Sequence, residues 1–410
     1  MHNSMPLDRS LPSATSDKLP IGGLLALAMT GFIGILTETL PAGLLPQISA
    51  GLHVSEALAG QTVTVYAIGS ILAAIPLTVA TRSWRRRTVL LTAIIGFLLF
   101  NTVTALSSNY VLTLIARALA GIAAGLCWSL LASYARRMVL PHQQGRALAI
   151  AMVGTPIALS LGVPLGTWLG KLIGWRGTFG GMSVLTLILI AWVLLKVPDF
   201  PGQARTQSLP LGRVFTMPGI RPILFVTATW MLAHNILYTY IAPFVVPAGL
   251  AQRVDLVLLV FGLFALLGIW IVGSIVDRWM RASTLISLAV FAASALALGI
   301  GGTLPTIVYG AVALWGLTFG GAATLLQTSL ADAAGANADV AQSMSVTVWN
   351  GAIAGGGIVG GLLLESWGVR SFPWVLLILI LAGLWMAWAS HQHGFKPEPR
   401  LTGTPAPCNR

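Results

Sequence analysis

Long apolar runs, each ended by a brief stretch of polar, glycine or proline residues, follow one another along almost the whole of this chain. A helix needs ~20 predominantly apolar residues to cross the hydrocarbon core of a bilayer. Twelve runs meet that length, centred near residues 34, 68, 98, 122, 157, 186, 233, 265, 291, 318, 351 and 381. Most breaks between them are short and hold turn formers: LSSN at 106–109, LPHQQG at 140–145, IGWRG at 173–177, GGTLP at 301–305 and SWGVR at 366–370. Residues 197–220 are different, a longer segment dense in proline, glycine and polar side chains. The pattern predicts an all-α membrane protein. It divides into a tail (1–19), six spans (20–196), a linker (197–220), six further spans (221–391) and a second tail (392–410).

The two sets of spans carry traces of one another. TRSW at 81–84 matches DRWM at 277–280, GIAAG at 121–125 matches GLTFG at 316–320, and GWRGTF at 174–179 matches GVRSF at 368–372. The offsets are 196, 195 and 194, nearly constant from the second span to the sixth. Parallel repeats of this kind predict two pseudo-symmetric six-helix bundles, with any substrate site between them near mid-membrane.

Composition agrees with lipid as the main solvent. Of 410 residues, 56% are hydrophobic and 8% charged, where a soluble globular chain averages roughly 25% charged. A net charge of +12 would suggest nucleic acid in a soluble protein, but here the basic residues cluster in short loops between spans. With the N-terminus in the cytoplasm, eighteen Lys and Arg fall on the inner side. Four, Lys171, Arg176, Arg253 and Arg370, fall outside. That asymmetry orients the chain with both termini inside and removes the need for a nucleic-acid partner. The two cysteines, Cys127 in a span and Cys408 in the tail, suggest neither a disulfide framework nor a metal site. The first apolar run is too long for a signal-peptide core and lacks a clear cleavage site, so it is read as a span that stays.

Four stretches carry a resemblance: TETLPAGLLPQIS with VSEALAGQTVTVYA (37–67), RALAGIAAGLCWSLLASYARRMV (117–139), LGVPLGTWLGKLIGWRGTF (161–179) and AHNILYTYIAPF (233–244). They resemble the major facilitator superfamily, in particular its twelve-span drug:proton antiporter branch and the bacterial sugar-efflux and purine-ribonucleoside-efflux transporters within it. The resemblance runs from about residue 21 to 390. It implies a monomer in the bacterial inner membrane, without a cofactor. The activity it implies is proton-coupled export of a small neutral polar solute such as a sugar, a nucleoside or a phenicol-type drug. A proton symporter or facilitator working inward has the same fold.

Two motifs depart from the family pattern. The loop after span two usually reads glycine, three residues, aspartate, arginine; here Leu77 and Thr81 take the glycine and aspartate positions, while Arg82 and Arg85–Arg87 remain. The second-half copy, GSIVDR, keeps Gly273, Asp277 and Arg278. The resemblance thus assigns Arg82, Arg86, Gly273, Asp277 and Arg278 to a cytoplasmic gating motif. The antiporter signature of span five, usually glycine followed directly by proline, reads GVPLG at 162–166, with one residue inserted.

Of eleven acidic residues, Glu38 is the one deep inside a span, eight residues short of the expected outer end at Pro46. Intramembrane acids are costly and serve function by default. Desolvation disfavours the charged form of a carboxylate, so such a group can bind and release protons as access alternates. The alternative is a buried acid satisfied by hydroxyls and helix ends. Pro41 frees the carbonyl of Thr37 and opens the turn beside Glu38. Arg117 in span four lies at a matching depth. It is read either as the electrostatic companion of Glu38 in proton coupling or as an arginine snorkelling to the headgroups.

His234 and Tyr238, four apart, share a helical face with Asn235 beside them. They offer uncharged donors and acceptors to a hydroxyl-bearing ligand; the alternative is a histidine bonded to a neighbouring span. Asn350, Trp128 and Trp315 are further candidates, each read either as a pocket residue in contact with substrate or as a tie between helices. The glycines of 351–361 are read as close-packing positions, since no strand precedes them and no Lys-Ser/Thr follows. The chain contains no HExxH, CxxC, GxSxG or phosphate-cradling loop, which sets aside an enzyme and ATP as the energy source. A reporter protein fused after residue 210 is expected to report a cytoplasmic location; external labelling there would overturn the span count and the orientation.

Overall fold

The computed structural model describes residues 19–81, 83–140, 143–202 and 211–395, and these are helical with no strand among them. Arg82 and the tail residues 1–18 and 396–410 lie outside the described residues. The first bundle is built from α1 (Ile21–Gly43), α2 (Leu45–Leu52), α3 (Glu56–Ala80), α4 (Arg86–Leu106), α5 (Tyr110–Arg137), α6 (Gln144–Met152), α7 (Gly154–Ile157) and α8 (Val163–Lys196). A short helix, α9 (Leu211–Phe215), interrupts the segment expected to be a plain linker. The second bundle follows as α10 (Ile220–Thr239), α11 (Ile241–Phe244), α12 (Val254–Gly301), α13 (Pro305–Ala334), α14 (Ala338–Trp367) and α15 (Phe372–Ala389).

Among the described residues, ten continuous helical stretches are long and apolar enough to cross a membrane. Two are of double length: Gln144–Lys196 has 53 residues and Ala251–Gly301 has 51. At ~1.5 Å per residue each far exceeds a ~30 Å hydrocarbon core. Each breaks at one non-helical residue, Gly174 (φ 73°, ψ 163°) or Trp279 (φ −130°, ψ 30°). The first of them doubles back: Lys196 packs on Gly22 and Gly23 at the start of α1, while Arg176 reaches Ser107 at the far end. Counted as two passes each, they complete the twelve that the apolar runs predict.

The sequence repeat becomes a repeat of contacts. Gly174 and Gly368, matched in the repeat, take nearly the same left-handed conformation (φ 73° and 72°), which an L side chain resists. A Cβ on Gly121 would strike the Tyr66 carbonyl and one on Gly125 that of Ser70. In the second bundle, Gly316 lies against the Phe261 carbonyl and Gly320 against that of Ala265. Glycine thus lets α5 approach α3, and α13 approach α12, backbone to backbone at equivalent positions.

The extra residue in GVPLG also has a structural outcome. Ala158–Gly162 forms a π-helical turn immediately before Val163 and Pro164. Pro164 has no N–H for the Ser160 carbonyl, and a π turn holds one more residue than an α turn. The widened turn absorbs the added residue, which in a strict α-helix would rotate the following segment by about 100°.

Toward the end opposite the basic loops, polar contacts join the bundles. Lys171 Nζ donates to Asp255 Oδ1 at 2.5 Å and to the Gln252 carbonyl at 2.6 Å. Tyr240 Oη lies 2.7 Å from the Gly357 carbonyl and 3.2 Å from that of Ala57. Gln61 Nε2 donates to the Gly357 carbonyl, and Ser55 Oγ to Glu365.

Gly121→Val and Gly316→Val are expected to destabilise the protein by roughly 1–3 kcal/mol or more, the cost of forcing atoms into a packed interface. The readout is a lowered thermal unfolding midpoint of the purified protein. Gly180→Val, where nothing lies within 4 Å of the added carbon, is expected to leave the midpoint in place.

Candidate functional site

The site starts from a missing hydrogen bond. Pro41 cannot donate to the carbonyl of Thr37 one turn earlier, and hydrocarbon supplies no water in its place. Arg117 Nη1 donates to that carbonyl at 2.6 Å. Its Nη2 approaches the Glu38 carbonyl at 3.4 Å, and its Nε donates to the Thr62 carbonyl of α3 at 3.1 Å. Arg117 is fully buried, which rules out the snorkelling alternative. The guanidinium also lies over the Tyr66 ring, 4.9 Å from its centroid. Tyr66 Oη donates to the Gly34 carbonyl at 3.0 Å, and Asn101 Nδ2 donates to Thr37 Oγ1 at 2.9 Å. Side chains from α3, α4 and α5 thus converge on one short segment of α1.

Glu38 sits on that segment, and its side chain is buried. The helix ends at Gly43, so Glu38 lies nearer to its terminus than the apolar run to Pro46 implies. Among the described residues, no ion pair links its carboxylate to Arg117. The arginine spends its N–H groups on backbone carbonyls and acts on the acid through space.

The second bundle contributes an aromatic cluster. His234 stacks on Phe319 with centroids 3.7 Å apart and planes 11° apart, and lies 5.2 Å from both Tyr238 and Trp315. Phe261 closes the group, 4.4 Å from Trp315. His234 Nδ1, Tyr238 Oη and Trp315 Nε1 are all buried and have no well-formed hydrogen bond among the described residues. The Tyr238 hydroxyl is directed at Thr39, the neighbour of Glu38 on α1. The acid and the aromatic cluster therefore face one another across the boundary between the bundles.

The remaining candidates separate. Trp128 is half-buried with its ring against Gly31 and Gly34 of α1, one turn before Glu38 on the same face. Asn235 packs under Gly356 of α14, and its Nδ2 donates to the Met231 carbonyl of its own helix at 2.7 Å. Asn350 Nδ2 likewise donates to the Val346 carbonyl, at 3.0 Å. Neither is gathered into the aromatic cluster.

In the expected gating motif, Arg82 lies outside the described residues. Arg86 is buried and its Nη2 donates to the Thr81 carbonyl at 3.3 Å. Its neighbours hold Asp199, just beyond the sixth pass: Arg85 Nε pairs with Oδ2 at 2.5 Å and the Arg87 N–H donates to Oδ1 at 3.1 Å. Partial burial pushes the Asp199 carboxyl upward, yet these bonds and charges hold it below the usual carboxylate range. In the second half Gly273 stands in open space, Arg278 lies over Trp279 with 5.6 Å to the ring centroid, and Asp277 has a partner of its own.

Sequence reasoning did not reach Thr62, Tyr66, Asn101, Phe261, Phe319 or Asp199. Asn101, a lone amide within an apolar run, was the one visible signal. The others are ordinary span or loop residues that only the packing selects.

Two six-helix bundles with polar groups buried between them are the layout of a secondary transporter. The chain belongs to the Major Facilitator Superfamily, whose sequence profile matches residues 27–356. It is 31% identical to the "Purine ribonucleoside efflux pump NepI" of Shigella sonnei, over 84% of this chain and 88% of that protein. The NepI of Escherichia coli K12 is also 31% identical, over 82% of this chain and 86% of the relative. So is the "Transcription regulatory protein OpdE" of Pseudomonas aeruginosa, over 88% and 92%. Among solved structures, the nucleoside transporter NupG matches with TM-score 0.73 and 16% identity, covering 92% of this chain and all of that one. A bacterial homologue of the human lysosomal transporter Spinster, inward-facing and unoccupied, matches with TM-score 0.66 and 14% identity, covering 93% and 97%. These two structures share the fold with this multi-pass membrane protein.

Arg117→Lys keeps the charge but loses the planar fork that reaches two carbonyls at once. Each hydrogen bond to a charged group is worth ~1.5–3 kcal/mol. The variant is expected to lower the thermal midpoint clearly, whereas a lysine that served only as a counter-charge to Glu38 would leave it unchanged.

Proposed function

We propose that this protein exports a small, neutral, polar solute in exchange for protons, and that the solute carries a ring system, as a purine ribonucleoside does. The observation that supports the reading is a set of three buried polar atoms inside one aromatic cluster: His234 Nδ1 and Trp315 Nε1 have no partner among the described residues, and Tyr238 Oη is directed only at Thr39 across the boundary. An unsatisfied buried polar group costs ~1–3 kcal/mol. A ligand offering donors and acceptors at the rim of a flat ring would recover that cost and stack on the same walls. The relatives described as purine ribonucleoside efflux pumps point to the same chemistry and direction. A sugar or a phenicol-type drug is the competing solute.

In this reading Glu38 carries the proton and Arg117 holds its turn of α1 in place. His234 and Tyr238 bind the solute, with Asn235, Asn350 and Trp128 lining its route. The excess of Lys and Arg in one set of loops supports a cytoplasmic location for both termini. The bundles 20–196 and 221–391 rock about the site as a monomer, and Arg82, Arg86, Gly273, Asp277 and Arg278 work at the cytoplasmic gate.

The test is transport in proteoliposomes with a panel of purine ribonucleosides, sugars and phenicols under an imposed proton gradient. Wild type should accumulate a nucleoside against its gradient. Glu38→Gln, which mimics the protonated acid, should insert normally, lose uphill accumulation, and retain solute exchange without a gradient. In the same assay His234→Ala should raise the half-saturating solute concentration and leave the pH dependence in place. Uphill transport by the Gln variant would make Glu38 a structural acid; accumulation of sugars or phenicols but no nucleoside would overturn the solute assignment.

A further inference from the structure

A second feature lies on the lipid-facing surface, far from the site between the bundles. Leu285 and Ala289 of α12 and Leu381, Trp385 and Trp388 of α15 line an open apolar groove of about 550 Å³. It runs into the membrane from the end that carries the basic loops. Arg281 stands at its mouth, one helical turn before Leu285 and on the same face. Its Nη1 donates to the carbonyls of Ala387 (3.1 Å) and Phe395 (2.8 Å), and its Nη2 to that of Trp388 (2.9 Å).

A guanidinium has five N–H donors. The three carbonyl bonds leave two over, and no carboxylate among the described residues forms an ion pair with Arg281. A net positive charge thus rests where the groove meets the surface. Arg278, exposed just before the break at Trp279, adds a second. Asp277 beside it is already engaged. Trp385 and Trp388 are 62% and 64% exposed, at the depth where tryptophan favours the headgroup boundary. From Arg281 to Ala289 the helix rises ~12 Å, about the upper part of an acyl chain.

We propose that this groove binds an anionic phospholipid, with one acyl chain along the groove and the phosphate on the free donors of Arg281. A zwitterionic lipid would fill the apolar part equally well. The unpaired arginine charge selects the anionic headgroup, as basic pockets between membrane helices do. The bound lipid would also brace the clasp that Arg281 makes between α12 and the end of α15.

The experiment reads lipid retention, not transport. The full-length protein is reconstituted with equal amounts of phosphatidylglycerol and phosphatidylcholine, re-extracted in mild detergent and examined by native mass spectrometry. Wild type should retain phosphatidylglycerol in preference. Arg281→Gln should reduce that preference roughly fivefold, the effect of one arginine at an anionic surface. Because Arg281 also clasps α15, Ala289→Trp, which fills the groove and leaves the clasp intact, is the deciding variant, with Trp385→Ala as a milder change at an exposed position. Both should lose phosphatidylglycerol adducts while remaining monodisperse. Equal retention of the two lipids by wild type, or undiminished phosphatidylglycerol on the Ala289→Trp protein, overturns the proposal.

Discussion

A backbone carbonyl without a partner is tolerable in water and costly in hydrocarbon, and Pro41 creates one at Thr37 in the middle of this membrane protein. The structure answers it with the most expensive group available, a fully buried arginine. Arg117 closes the open turn and simultaneously binds the Thr62 carbonyl on α3. Its charge then requires compensation, which comes from carbonyl dipoles, the faces of Tyr66 and Phe179, and the nearby acid. The exposed carbonyl, the arginine and Glu38 form one interdependent unit. Removing any one leaves the others with an uncompensated cost in a medium of low dielectric.

The scaffold around this unit is symmetric, whereas its chemistry is not. Glycines at equivalent positions bring α5 onto α3 and α13 onto α12, and equivalent left-handed glycines, Gly174 and Gly368, turn the chain in each half. Yet the residue 195 positions after Arg117 is Val312, buried and apolar. The first bundle holds a buried arginine bound to backbone carbonyls beside an acid, and the second holds stacked rings whose polar tips lack well-formed hydrogen bonds. Close packing needs small residues at fixed spacing and so persists in both copies. An acid in the membrane carries a desolvation cost that a second copy would double.

How far the sequence could be read follows the same division. Span number, the repeat and the depth of Glu38 and Arg117 were legible because each is a one-dimensional property: run length, register, or position along a helix of fixed rise. His234 and Tyr238 were legible as a pair for the same reason, since residues four apart share a face. Phe319 and Phe261 were not, because their approach to His234 depends on how α10, α12 and α13 cross. The acceptors of the Arg117 N–H groups were not legible: a proline-freed carbonyl is held in place and unable to move away into water, but which arginine reaches it depends on how α1, α3 and α5 pack. Asp199 escaped notice as a loop acid, although its position after the sixth pass brings it to Arg85 and Arg87. The π turn before Pro164 was visible only as an irregular motif, whose meaning lies in helical phase.

Under the roles proposed above, the contacts between the bundles give a route from a proton on Glu38 to the solute. Tyr240, Gln61, Lys171 and Ser55 join the bundles toward one end, and the Tyr238–Thr39 approach lies deeper, beside the acid. The contacts toward that end are ordinary hydrogen bonds and one partly exposed ion pair, worth about 0.5–1.5 kcal/mol apiece. Together they amount to a few kcal/mol, within reach of a ligand that binds one arrangement of the bundles better than the other. A charged Glu38 favours a polar, separated boundary around Thr39, because a carboxylate lacking direct donors gains from hydration. A neutral Glu38 removes that demand and lets the Tyr238 hydroxyl close on α1. The aromatic cluster is stacked on Tyr238 through His234, so the same step bears on how the rings are placed. Coupling by this route needs no direct contact between proton and solute: it needs one tyrosine shared by the acid's boundary and the ring cluster, and Tyr238 occupies that position.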